Sequence, residues 1–178
     1  MKAYRAALLR FDDDGQPLYD SDGLLVIGPD ATGRRVVRAA GAQDALIHRF
    51  AGVAIEDLRG HLIAPGFVDL HVHYPQTDVI GAPAAGLLPW LEHYTFPHES
   101  RFIDKAYARG VAEFFFDELQ RNGVTTALTF ATSHPASVDA AFEAAQARRL
   151  RFITGKVLQD RHSPDGVRDQ TEQSLIHT

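Results

Sequence analysis

Two histidines and an aspartate alternate at the end of a short apolar stretch, Phe67–His73. In a β-strand alternate side chains share one face, so Asp69, His71 and His73 would point the same way. Two imidazoles at positions i and i+2 can converge on one metal ion, with each nitrogen about 2.0–2.1 Å from zinc. The carboxylate of Asp69, one step deeper, is placed to orient a histidine. We therefore predict that His71 and His73 are metal ligands.

The surroundings of this pair favour a ligand role over chance occurrence. The strand follows Pro65 and Gly66, and its other face carries Val68, Leu70 and Val72. These three side chains would pack against helices, as expected for a strand of a buried parallel sheet. The histidines would then lie at the carboxyl end of the first such strand, where active sites of α/β barrels form.

Apolar periodicity and turn residues predict the elements that follow the histidine pair. They are a helix over Asp104–Asn122 closed by Gly123, a strand over Val124–Phe130, a helix over Ser137–Arg149, a strand over Phe152–Leu158, and a helical end over Gln173–Thr178. Asp104 and Ser137 are predicted N-caps, because their side-chain oxygens can accept from free backbone N–H groups. The alternation of strands and helices predicts parallel pairing through right-handed crossovers.

The segment before Pro65 has a different character. Ala3–Phe11, Gly23–Gly28 and Arg34–Ala39 are short apolar runs separated by turn residues, which predicts a small β-rich unit over residues 1–63. Residues 64–178 form the second, α/β part. Its strands begin either a (β/α)₈ barrel or a doubly wound sheet. A barrel needs about 250 residues, so the barrel alternative implies that most of it is missing here.

Composition excludes several classes of function. The 178 residues carry a net charge of -5 and contain no cysteine. The charge argues against a general nucleic-acid binder, and the missing cysteines rule out disulfides, thiol catalysis and cysteine-ligated metals within this sequence. The apolar runs are too short to span a bilayer, and the first residues do not resemble a secretion signal. We expect a soluble, cytoplasmic protein that does not act on membranes.

The string Pro-Gly-Phe-Val-Asp-Leu-His-Val-His at 65–73 resembles the first-strand signature of the amidohydrolase superfamily. Later motifs narrow the resemblance to its guanine deaminase family, between about residues 62 and 165. They are His-Tyr-Pro-Gln-Thr-Asp at 73–78, Leu-Pro-Trp-Leu-Glu-His-Tyr-Thr-Phe-Pro at 88–97, Glu-Ser-Arg-Phe at 99–102, and shorter matches at 122–127, 130–134 and 155–157. The Trp-Leu-x-x-Tyr-Thr-Phe-Pro segment is far more specific than His-x-His.

The resemblance implies an α/β fold, in which the first β/α units of a metal-dependent (β/α)₈ barrel follow part of a composite β-sandwich. It implies hydrolytic deamination of guanine to xanthine and ammonia, with one zinc ion per active site. His71 and His73 would be zinc ligands and Gln76 would hydrogen-bond the purine, while Trp90 and His134 are further candidates to line the pocket. A homo-oligomer active in purine catabolism is expected.

The family's remaining groups would lie beyond Thr178. They are two further histidines, an aspartate at the metal, and the glutamate that serves as general acid and base. No catalytic residue is therefore assigned within this sequence. Because a catalytic zinc site usually has three protein ligands, residues 1–178 alone are expected to be inactive.

Two alternatives remain open. Another amidohydrolase, such as an aminopurine or pyrimidine deaminase or a triazine hydrolase, would share His71 and His73. A non-catalytic truncated fragment that aggregates or assembles with other chains would use none of the site. Zinc deaminases of the cytidine type are disfavoured, since they need a Cys-x-x-Cys pair.

Overall fold

The chain divides between Pro65 and Gly66, at the pair of residues that precedes the histidine-bearing strand. The computed structural model describes residues 1–177. These residues belong to two compact units, Met1–Pro65 and Gly66–Thr178. No helix among them is both long and apolar enough to cross a membrane.

The first unit is a four-stranded sheet with the strand order β3-β2-β1-β4. Its elements are β1 (Lys2–Phe11), β2 (Pro17–Pro29), β3 (Arg35–Ala42), α1 (Gln43–Leu46), a 3₁₀ turn (Ile47–Phe50) and β4 (Ile55–Ile63). Strand β2 pairs antiparallel with β1 and β3, whereas β4 pairs parallel with β1. These strands are longer than the apolar runs from which strands were predicted.

The core of the first unit follows from alternation along the strands. Ala3, Leu24, Val26 and Leu46 form its buried cluster. Gly23 lies in β2 where the register with β1 shifts, and a Cβ there would come 2.4 Å from the Leu8 side chain. Glycine at this position therefore lets the Leu8 side chain pack against the neighbouring strand.

The second unit contains a three-stranded parallel sheet with the order β5-β6-β7. Its strands are β5 (Phe67–His73), β6 (Val124–Phe130) and β7 (Arg151–Ile153). Its α-helices are α2 (Leu87–Trp90), α3 (Phe96–Glu99), α4 (Lys105–Arg121), α5 (Pro135–Ala147) and α6 (Thr171–Ile176). A π-helical turn (Leu91–Thr95) and 3₁₀ turns (Tyr74–Val79, Ser100–Ile103) complete the unit. The predicted parallel α/β arrangement is observed.

Helix α4 begins and ends as its sequence predicts. The Asp104 carboxylate accepts hydrogen bonds from the backbone N–H groups of Ala106, at 2.8 Å, and Tyr107. Gly123 follows the helix with a φ of 78°, a conformation that glycine adopts without a Cβ penalty. The buried stripe of the helix consists of Ala108, Val111, Ala112, Phe115, Phe116 and Leu119.

Helix α5 begins earlier than predicted. Its N-cap is His134 and Pro135 is its first residue, so the prediction that Ser137 is the N-cap is wrong. Ser137 instead lies in the first turn, where its Oγ donates to the His134 carbonyl oxygen and accepts from the Thr132 backbone N–H. The serine hydroxyl therefore links the first turn of the helix to the segment that follows β6. Proline suits the first helical position because its missing N–H needs no partner there.

Two side chains of β5 that were predicted to pack against helices are exposed instead. Val72 packs against the core, but Val68 and Leu70 remain 59% and 69% exposed, because no described helix lies over that part of β5. Strand β7 ends at Ile153, well before the predicted Leu158. The predicted terminal helix is observed as Thr171–Ile176, while Thr178 lies outside the described residues.

Candidate functional site

His71 and His73 lie at the carboxyl end of β5 with their imidazole rings side by side. The ring centroids are 5.2 Å apart and the ring planes are inclined by 64°. Two imidazoles that share an ion at about 2.0–2.1 Å bring their centroids to about 5 Å. The observed spacing therefore fits two ligands of one zinc ion.

An aromatic ring from the neighbouring strand lies against both histidines. Phe130, the last residue of β6, stacks on His73 with centroids 4.5 Å apart and lies 5.1 Å from the ring of His71. Burial lowers the pKa of His73, and the nearby His71 lowers it further. The neutral imidazole that results is the form that binds metal ions.

Asp69 does not contact either imidazole ring in the way its position suggested. Its Oδ1 accepts a hydrogen bond from the backbone N–H of His71 at 3.0 Å. The carboxylate thus stabilises the backbone of the strand at a histidine, rather than orienting an imidazole through a ring nitrogen.

The described part of the chain supplies an incomplete ligand set. Within residues 1–177, no group of three or more His, Cys, Asp and Glu side chains is placed to hold a metal ion. His71 and His73 therefore fit the zinc requirement in part, as two donors out of the three protein ligands usual in catalytic sites.

Tyr74 anchors the backbone immediately after His73. Its side chain is fully buried, and its hydroxyl donates to the Ser137 carbonyl oxygen at 2.6 Å. Phe102 packs edge to face on the Tyr74 ring at a centroid distance of 5.3 Å. Burial raises the pKa of the Tyr74 hydroxyl well above its usual value, so it stays a donor. These contacts fix the chain where the histidine pair ends.

Gln76 lies in the 3₁₀ turn after Tyr74 and contacts a buried acid. Its Nε2 donates to Oε1 of Glu99, the last residue of α3, at 3.5 Å. Glu99 is only 8% exposed, and this burial raises the pKa of its carboxyl to about 7. No role for Glu99 was predicted from the sequence. The sequence did hold one indication that Glu99 is buried. It lies within residues 90–102, a segment rich in aromatic residues, whereas surface carboxylates usually have polar neighbours.

His73 and Gln76 open onto the same groove, which has a volume of about 520 Å³. The rest of its wall is largely apolar and includes Ile80, Phe115 and Leu119. One predicted zinc ligand and the residue predicted to bind the purine therefore both line this groove.

Trp90 and His134 are placed apart from this groove. Trp90 ends helix α2, and neither residue lines the groove that contains His73. His134 lies after β6, and its Nε2 is 3.0 Å from the Gly166 carbonyl oxygen. Burial lowers the pKa of His134, which favours a neutral ring bonded to that carbonyl. A role for either residue in a pocket stays a prediction.

A buried ion pair holds the segment that follows β7. The Lys156 side chain is 3% exposed, and its Nζ lies 2.7 Å from Asp169 Oδ2 and 3.0 Å from Ser174 Oγ. These contacts give Lys156 a structural role.

The chain is similar in sequence to hydrolases of a single family. The model of the amidohydrolase family matches residues 62–177. Guanine deaminase of Escherichia coli strain K12 is 52% identical over 122 residues, which are 68% of this chain and 28% of that protein.

Solved structures agree with the sequence comparison. E. coli guanine deaminase matches with a TM-score of 0.87 at 41% identity, over 99% of this chain and 42% of that one. Guanine deaminase from C. acetobutylicum with bound guanine in its active site matches with a TM-score of 0.86 at 28% identity, over 99% of this chain and 41% of that one. The chain thus spans less than half the length of these proteins.

Proposed function

Because the chain belongs to the amidohydrolase family, we propose that it is the amino-terminal part of an enzyme that deaminates guanine. The reaction consumes one water and converts guanine into xanthine and ammonia. Residues 1–63 would contribute to a β-sandwich, and residues 64–178 would begin a (β/α)₈ barrel that later residues complete. We call the polypeptide that contains this chain and those later residues the complete enzyme.

The observation that carries this proposal is the convergence of His71 and His73 at the carboxyl end of β5. In (β/α)₈ enzymes the active site forms at the carboxyl ends of the strands. The 52% identity with E. coli guanine deaminase supports the choice of substrate, as does the guanine in the active site of the C. acetobutylicum protein.

Each residue at this site has a proposed task. His71 and His73 would hold zinc, which when bound supplies the Lewis acidity that makes water a nucleophile near neutral pH. Gln76 would orient the purine, because a carboxamide offers an acceptor and two donors to an edge that presents both kinds of group. A glutamate beyond Thr178 would donate the proton to the departing ammonia. Residues 1–178 alone would be inactive.

Ammonia release from guanine, adenine and cytosine tests the substrate assignment. We expect the complete enzyme, loaded with zinc, to act on guanine and to release little ammonia from the other two bases. Preferential turnover of adenine or cytosine would instead favour a different deaminase of the same family.

The coding sequence beyond Thr178 tests the remainder of the proposal. We expect it to continue with further strands, two histidines, a glutamate and a late aspartate. A reading frame that stopped at residue 178 would contradict the catalytic proposal and favour the non-catalytic alternative. The cytoplasmic location and the homo-oligomeric state are also proposals, for which fractionation and sedimentation of the complete enzyme are the tests.

A further inference from the structure

Glu99 is a buried acid whose hydrogen bond leads directly to the candidate purine site. It ends helix α3, and Gln76 Nε2 donates to its Oε1 at 3.5 Å. None of the ion pairs formed within residues 1–177 includes Glu99. A carboxyl in such a place destabilises the fold unless hydrogen bonds offset its lost hydration. The place of this carboxyl beside Gln76 therefore points to a task other than stability.

The chemistry of the two groups limits how they can pair. Above its pKa of about 7 the Glu99 carboxylate is ionised and only accepts hydrogen bonds, whereas a carboxamide has a donor on one branch and an acceptor on the other. With Nε2 on Glu99, the planar Gln76 amide must carry its Oε1 on the other branch. Without Glu99, the amide could rotate and exchange the two branches. A ligand would then meet a donor where it needs an acceptor.

We propose that Glu99 is a positioning residue that holds the Gln76 carboxamide in the single orientation needed to bind the purine. This inference rests on the proposed function, since it takes Gln76 to be the group that hydrogen-bonds guanine. Glu99 itself touches neither the imidazole pair nor, on this proposal, the substrate. It acts by removing the wrong orientation of Gln76 before guanine binds, which lowers the cost of binding.

Two substitutions in the complete zinc-loaded enzyme separate positioning from packing. Glu99→Leu keeps an apolar side chain in the cavity but removes the acceptor, and should raise KM for guanine about 10-fold, the scale of one hydrogen bond. Glu99→Gln retains an acceptor oxygen and should restore part of this loss. Zinc content and kcat should stay within about twofold of wild type in both variants, because the lost interaction concerns binding. Equal KM values for Glu99→Leu and wild type would overturn the proposal.

A double-mutant cycle tests whether Glu99 acts through Gln76. In a Gln76→Ala background, Glu99→Leu should change kcat/KM by less than about twofold, since there is no amide left to position. A loss as large as in the Gln76-containing enzyme would show that Glu99 acts by another route, and would refute the proposal. Glu92→Leu is the matched control, because Glu92 lies on the preceding π-helical turn but is exposed.

Nuclear magnetic resonance distinguishes failure of this inference from failure of the proposed function. The Gln76 side-chain amide, labelled with ¹⁵N and assigned through Gln76→Ala, should shift in Glu99→Leu and not in Glu92→Leu. If the enzyme did not turn over guanine but the Gln76 signal shifted in Glu99→Leu, the proposed substrate would be wrong and the contact between Glu99 and Gln76 would be supported. If the enzyme turned over guanine but the Gln76 signals did not shift, the proposed function would be supported and the positioning role of Glu99 would be wrong.

Discussion

At the scale of single residues, the Glu99 carboxyl couples protonation to stability. Its pKa of about 7 in the folded protein lies above the ordinary value of 4.5 expected after unfolding. Between these values the folded state binds more protons, so the free energy of unfolding falls as pH rises. At about 1.4 kcal/mol per pKa unit, the fall amounts to roughly 3 kcal/mol.

We predict that Glu99→Gln removes this fall between about pH 4.5 and pH 7. The variant should therefore gain stability relative to wild type at pH 8 but not at pH 4. Denaturant unfolding of both proteins at the two pH values measures the difference, with Glu92→Gln as the exposed control. A difference that stayed constant with pH would argue against a perturbed Glu99.

The imidazole pair supports a second prediction at this scale. His73→Ala should abolish zinc binding and guanine turnover in the complete enzyme, because the site loses one of the two ligands that β5 supplies. Metal analysis by mass spectrometry and ammonia release measure the two losses. His93→Ala, at an exposed position, should retain both. Stoichiometric zinc and a normal rate in His73→Ala would remove His73 from the ligand set.

At the scale of elements, the start of β5 depends on the absence of a side chain at Gly66. A Cβ at this position would lie 2.1 Å from Thr125 Cγ2 and 2.7 Å from Thr125 Cβ. Rotation of the threonine side chain can move its Cγ2 but not its Cβ, so the two strands would have to separate. The glycine before the histidine-bearing strand thus allows β5 and β6 to approach.

We predict that Gly66→Ala destabilises the complete enzyme by about 1–3 kcal/mol, as overpacking does elsewhere. Gly110→Ala is the matched control, since nothing lies within 4 Å of its added Cβ in the exposed face of α4. It should stabilise by roughly 0.5–1 kcal/mol, because alanine favours a helix interior. Relative to wild type, the midpoint temperature of thermal unfolding should fall in Gly66→Ala and rise in Gly110→Ala. Equal shifts would contradict the steric account.

The sequence predicted the elements that begin at a glycine or a capping residue. It did not predict the elements that depend on contacts with residues distant in the chain. Strands β5 and β6 match their predicted limits, since Gly66 and Gly123 mark where each apolar run begins. Residues 74–103 form helical turns of four to six residues that no periodicity reveals. Such short turns depend on buried anchors such as Tyr74 and Phe102 rather than on their own propensity.

The same distinction applies to the candidate site. His71 and His73 share one strand, so their spacing alone predicted that the rings lie together. Glu99 and Gln76 are 23 residues apart on two irregular segments, and only the fold brings them into contact. Strand β4 was not predicted from the sequence. Most of its side chains are exposed, so buried and exposed positions do not alternate along it.

At the scale of the whole molecule, β5 presents an uncovered apolar surface. Phe67, Val68 and Leu70 are all more than half exposed, and β5 lies at an edge of the sheet. Exposed apolar side chains beside an unpaired strand edge favour association between chains. In the complete enzyme this surface would instead be covered by later elements of the proposed barrel.

We predict that residues 1–178, produced alone, self-associate. Sedimentation velocity should show species larger than the 19.6 kDa monomer. Replacing Val68 and Leu70 together by serine should shift the distribution towards monomer, whereas Glu92→Gln should not. A cooperatively folding monomer at all concentrations would contradict this prediction and the account of the uncovered strand.

The buried ion pair of Lys156 has a consequence for chemical labelling. The sequence contains three lysines, Lys2, Lys105 and Lys156. The ε-amine of Lys156 is enclosed with Asp169, whereas the side chains of Lys2 and Lys105 are nearly half exposed. Amine-reactive dyes should therefore label Lys2 and the α-amine of Met1 in the first unit and Lys105 in the second, and should leave Lys156 unlabelled while the chain is folded.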